Sequence, residues 1–193
     1  MAGSQLKTGF IMSQIEALNG RTDLRAHLDR TRHGGRLLKV DAWIPSEVKA
    51  ISPLVDRLMR LIEESHCIPG EESAVELALS EALSNAVVHG NRLDARKLVH
   101  VRCRCKVGNG ISLIVSDQGQ GFDASTIPDP MAVENLEAEH GRGIHLMKWA
   151  MDRVSFEQGG TEVHMCKRLA RARRELAIEK NSAGGNVLKE VGC

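Results

Sequence analysis

The chain contains no tyrosine, and only three phenylalanines and two tryptophans among 193 residues. So thin an aromatic supply argues against a surface built to stack bases. An excess of one charge is missing too. Its 26 basic side chains meet 25 acidic ones for a net charge of +1, which indicates neither a strongly basic nucleic-acid protein nor a charge-driven disordered chain. No apolar run approaches the roughly 20 residues that cross a bilayer. The opening MAGSQLKTGFIMSQIEALNG lacks the unbroken apolar core of a secretory signal, so the expected location is cytoplasmic, with no membrane partner. Five cysteines, odd in number and without a CxxC pair, disfavour a disulfide framework. Cys103 and Cys105 share one strand face and read as small apolar side chains rather than half a metal site.

What is present fits one domain with modest extensions, long enough to bury a core. Residues 1–36 are mixed and polar, a partly helical or disordered extension with one helix expected near 21–32. RLLKVDAWI (36–44) has strand character. A helix should follow, capped by Ser46 with Pro53 early in it, and Leu54, Leu58, Leu61 and Ile62 recur at the spacing of a core-facing stripe. PGEES breaks that helix, and Glu71, Glu72 and Ser73 open the next. Val99, Val101, Cys103, Cys105 and Val107 alternate with basic residues, the pattern of a strand with one buried and one wet face. GNG (108–110) then turns the chain into ISLIVSD, giving a hairpin. Residues 118–140 lack periodicity and read as a long functional loop. A helix over 143–154, a strand–turn–strand to 169, and a basic tail over 170–193 that starts as a fraying helix complete the order. Helices layered on one face of a mostly antiparallel sheet make an α+β two-layer sandwich.

Three segments carry chemistry. In LALSEALSNAVVHGN (77–91), Glu81 and Asn85 lie four apart and project from one helix face. A carboxylate there can take a proton from a hydroxyl, and an amide oxygen one turn on can hold Mg²⁺ beside a phosphate. In SDQGQGFD, Asp117 ends a strand where it can accept from an exocyclic amine, and Gly119 and Gly121 let the backbone approach a flat ring. In HGRGIHLM, Gly141, Arg142 and Gly143 precede a helix whose first N–H groups attract anions. Neither the P-loop nor the Rossmann glycine pattern occurs. The basic run KRLARARRE (167–175) reads as a solvated helix face, and neither His27 nor His33 begins a phosphoacceptor-histidine motif.

Taken in order, E-x-x-x-N with a closing H-G, D-x-G-x-G-F and G-x-G-I-x-L-M resemble the N, G1 and G2 boxes of the GHKL ATPases. More narrowly, EALSNAVVHGNRLD, DQGQGFD, GRGIHLMKWAMDRV and GGTEVHMCKRL resemble the bacterial anti-sigma factor serine kinases over about 37–169. That resemblance implies the Bergerat ATP-binding fold, with ATP and Mg²⁺ as cofactors. It implies Glu81 as general base, Asn85 on Mg²⁺, and His89 near the phosphates. Asp117 would bond the adenine amine, supported by Thr161, with Gly119 and Gly121 at the pocket floor. Gly141, Arg142, Gly143 and Ile144 would surround the phosphates at the end of a lid over 123–140. It further implies transfer of the γ-phosphate to a serine of a STAS-domain anti-anti-sigma protein, sequestration of a sigma factor, and a homodimer. Two other readings stay open: an ATP-gated binding module without catalysis, and a detached histidine-kinase ATPase domain.

Overall fold

A computed structural model of the chain describes residues 22–30, 35–122 and 142–169. Six strands form one sheet in the order β1-β2-β3-β4-β6-β5, and every neighbouring pair is antiparallel. The strands are β1 (Asp23–Arg30), β2 (Arg36–Pro45), β3 (Leu98–Lys106), β4 (Gly110–Ser116), β5 (Arg153–Glu157) and β6 (Glu162–Arg168). Three α-helices accompany the sheet, α1 (Ile51–Ser65), α2 (Glu72–Ser84) and α3 (Arg142–Ala150). Helix α2 packs against both α1 and α3, and the helices lie against the sheet through α1 on β2, α2 on β4 and β6, and α3 on β5. This is the α+β sandwich expected.

Alternation places the core. Val99, Val101, Cys103 and Cys105 of β3 are buried, and so are Leu38, Val40, Ala42 and Ile44 of β2. Opposite them, Leu54, Leu58 and Ile62 of α1 and Val75, Ala78, Leu79, Ala82 and Leu83 of α2 are buried in the same cluster. Leu61 is only partly buried. Burial pushes the Cys103 and Cys105 thiols well up, and Cys67 beside Cys105 adds to the effect, so both behave as apolar core groups. Among the described residues Cys67, Cys103 and Cys105 are free thiols.

Three local expectations change. The helix expected near 21–32 is instead β1, which pairs with β2 from Asp23↔Trp43 to Arg30↔Arg36. Leu24 and Ala26 are buried while Arg25 between them is exposed, a period of two that residues of good helix propensity disguised. Residues 23–30, expected in the extension, therefore belong to the sheet. Ser46 does not cap a helix: it is buried, its hydroxyl donates to Val87 O (3.4 Å), and a 3-10 turn (Val48–Ala50) leads into α1. The last helix stops at Ala150 rather than 154, because Val154 and Phe156 pair with Met165 and Val163 in the sheet. The tail over 170–193 and the lid over 123–140 lie outside the described residues, and no described helix is long and apolar enough to cross a membrane.

Leu58 is fully buried where α1 meets the sheet. Leu58→Ala should cost about 2–5 kcal/mol in urea unfolding, whereas Val48→Ala, at a side chain 59% exposed, should stay within about 0.5 kcal/mol.

Candidate nucleotide site

The site begins where α2 changes winding. From Asn85 to Gly90 the chain forms a π-helical turn, and Asn91 N–H bonds Ala86 O at 2.8 Å. Such turns widen a helix locally and recur at functional sites. Here the turn ends against the segment that follows β4. A β-carbon on Gly90 would run into the Asp117 carboxylate, and one on Gly119 would run into Gly90 O. Only glycine permits this backbone-to-backbone approach. Asn91 fastens the seam: its Nδ2 donates to Leu98 O (3.0 Å) and its Oδ1 accepts Gln118 N–H (2.8 Å).

Asp117 is thereby fixed at the strand end. Its N–H donates to Thr161 O (2.9 Å), and its Oδ1 accepts Gly119 N–H (2.7 Å). Burial pushes the carboxyl up, against the smaller opposing effects of the Gly119 bond and Lys97. Thr161 supports Asp117 through its carbonyl, while its hydroxyl donates to Gln158 O (3.0 Å). Gly121 sits at φ +73° with no room for a β-carbon beneath Gly159 O, and Phe122 N–H bonds that same oxygen at 3.0 Å.

Across the cavity, α2 presents Glu81 and Asn85 toward the first turn of α3. A β-carbon at Gly143 would lie 2.7 Å from Glu81 Oε2 and 3.3 Å from Asn85 Nδ2. The three walls enclose about 680 Å³, the size of a small-molecule site. Glu81, Asn85, His89, Asp117, Gly121, Arg142, Gly143, Ile144 and Thr161 all line this one cavity. Gly119 lies just behind it, under Gly90. Gly141 lies outside the described residues.

Sequence reading missed two features. Asn91 was visible only as a polar residue closing an apolar stretch, and its partners at 98 and 118 are distant in sequence. Arg92 lines the cavity, and both it and Leu93 take left-handed backbone angles (φ +56° and +58°) that non-glycine residues seldom adopt. Nothing in their side chains signalled this.

A largely apolar cavity with a half-buried carboxylate at one end, and an amide, a carboxylate and a glycine-opened helix start at the other, fits a ligand with a flat polar ring and an anionic tail. Oxygen donors such as Glu81 and Asn85 also suit a hard cation such as Mg²⁺. Residues 44–167 match the model of the histidine kinase-like ATPase domain, and the chain belongs to that family. It is 27% identical over 108 residues to an anti-sigma F factor of Oceanobacillus iheyensis, a match covering 53% of this chain and 73% of that protein. Against an anti-sigma F factor of Bacillus cereus the identity is 30% over 105 residues, covering 52% and 71%. Against the serine-protein kinase RsbW of Bacillus licheniformis it is 33% over 106 residues, covering 51% and 66%. Within its family, the chain groups with the bacterial anti-sigma factor kinases.

Because burial disfavours its ionised form, folded Asp117 keeps its proton to higher pH than the unfolded chain does. The stability tied to this group is therefore full in acid and is lost as pH rises through the folded titration. Asp117→Asn removes the charge but keeps the Gly119 acceptor. The nucleotide-free variant should melt above the wild type at neutral pH, with the gap closing as pH falls toward 3.8. Thermal denaturation across pH checks this, and a constant gap would contradict it.

Proposed function

We propose that the protein is an ATP-dependent serine/threonine kinase that transfers the γ-phosphate to a serine of a STAS-domain anti-anti-sigma protein. On this reading it also binds a sigma factor in a nucleotide-dependent way, as a homodimer. The observation that carries it is the convergence of Asp117, the Glu81–Asn85 pair and the start of α3 around one cavity.

Each residue then has a role set by its place. Asp117 is the acceptor for the adenine amine, since a desolvated carboxylate gains most from a donor that reaches it. Gly119 and Gly121 keep the floor flat. At the other end, the first N–H groups of α3, with Arg142 among its first residues, would face the phosphates. Asn85 would hold Mg²⁺, which when bound neutralises phosphate charge and orients the transferred group. His89, exposed and lining the same cavity, would lie near the phosphates. Glu81 would accept the proton of the attacking serine hydroxyl as the bond from serine oxygen to γ-phosphorus forms and the bond from that phosphorus to the β–γ bridging oxygen breaks, releasing ADP. Ile144 and Thr161 complete the walls. Residues 37–169 would serve as the catalytic domain, with the leading segment and basic tail as attachments to it.

Glu81→Gln separates chemistry from binding. The variant should bind ATP within a fewfold of the wild type yet lose about 10²–10⁴-fold in transfer, the usual contribution of a positioned base. Phosphoserine on a STAS-domain substrate, measured with ATP and Mg²⁺, is the readout. Wild-type protein that binds ATP but forms no phosphoserine would favour the ATP-gated binding module instead.

A further inference from the structure

On the outer face of the sheet, where β5 pairs with β6, a second group of polar side chains converges. Glu157 and Glu162 stand opposite each other across the β5–β6 pair, where like charges repel. His164 lies two residues along β6 and so shares their face. Its Nε2 is 2.5 Å from Glu162 Oε1 and 3.4 Å from Glu157 Oε2. The three ligand atoms fall within 4.8 Å of one another. The other Glu162 oxygen is held by the Ser116 hydroxyl (2.6 Å) and by Arg102 (2.8 Å), which aims Oε1 at His164. Burial pushes the Glu162 carboxyl up, but Ser116, His164 and Arg102 together outweigh it and hold the carboxyl below its usual range.

Beside these groups is a small cavity of about 80 Å³, bordered by Ser155, Glu157, His164 and Arg153. It has room for two waters at roughly 30 Å³ each. The side chains of His164 and Glu157 are 27% and 53% exposed, so solutes reach them.

We propose that Glu157, Glu162 and His164 form a binding site for a divalent transition-metal ion of the zinc class, with water completing its coordination. One imidazole nitrogen with two carboxylate oxygens is a donor set such ions accept, and three protein ligands plus an open position is a recurrent arrangement for zinc. Ligand atoms about 2.0–2.1 Å from a tetrahedral ion lie about 3.3 Å apart, close to the separation already present between His164 and Glu157. The His164–Glu162 pair opens by about 0.8 Å as the ion replaces the hydrogen now bridging them. Ser116 and Arg102 act as outer partners that orient Glu162. The site is distinct from Asn85 and its proposed Mg²⁺, which face the cavity on the helical side of the sheet. It does not depend on the kinase reading.

Calorimetric titration of the tag-free full chain with Zn²⁺ and with Co²⁺, without nucleotide, tests the assignment. We expect one saturable ion per chain, and a Co²⁺ absorption spectrum without a thiolate charge-transfer band. His164→Gln and Glu157→Gln should each weaken binding by about tenfold or more. Glu157→Gln alters an exposed side chain, so its effect does not reflect loss of fold. Absence of saturable binding, undiminished binding in both variants, or a thiolate band would overturn the proposal.

Discussion

The site depends on one close approach, that of Gly90 at the end of the α2 π-turn to the Asp117–Gly119 segment beyond β4. At this seam the Asp117 carboxylate and the Gly119 backbone both lie directly against Gly90, where no side chain of its own intervenes. Asn91 holds it from both sides, bonding Leu98 at the start of β3 and Gln118 just past β4. Moving α2 away from the strands by even one methyl group would displace Asp117 from Glu81 and Asn85 together. The cavity is thus a consequence of how two layers are joined, rather than a feature of either layer.

This construction has an energetic cost. Asp117 is a carboxylate partly removed from water, with its carboxyl pushed up by burial. Arg92 and Leu93 hold left-handed angles immediately after the π-turn. Each feature is unfavourable in isolation, and such features persist where surrounding structure over-determines them. The sheet and the Leu54–Leu58–Ile62 stripe supply that surrounding structure. The helical face therefore holds a tense, partly apolar cavity, while the outer face carries ion-paired polar groups such as Arg102, Glu162 and His164.

Much of this was legible in the residues, for identifiable reasons. The hairpin β3–β4 announced itself by alternation and a GNG turn, and α1 by its leucine spacing. The candidate site was legible because glycines and acids sit where local geometry demands them, as at Gly121 and Gly143. Strand β1 was hidden because leucine, alanine and arginine suit a helix equally well, and only pairing with β2 decides between them. The bracing by Asn91 was hidden because its partners are far along the chain. The contact between Thr161 and Asp117 runs through the Thr161 backbone carbonyl, while its hydroxyl turns to Gln158 O, a division of labour that side-chain identity does not record.

The account stands on Asp117 and the Glu81–Asn85 pair serving one bound adenine nucleotide. Titration of the purified chain with ADP and Mg²⁺, set beside Asp117→Ala, tests this most directly. The account predicts saturable, one-to-one binding by the wild type that weakens about 10–100-fold in the variant, as expected for a lost hydrogen bond to a charged group. No saturable binding, or equal affinity in the two proteins, would contradict it.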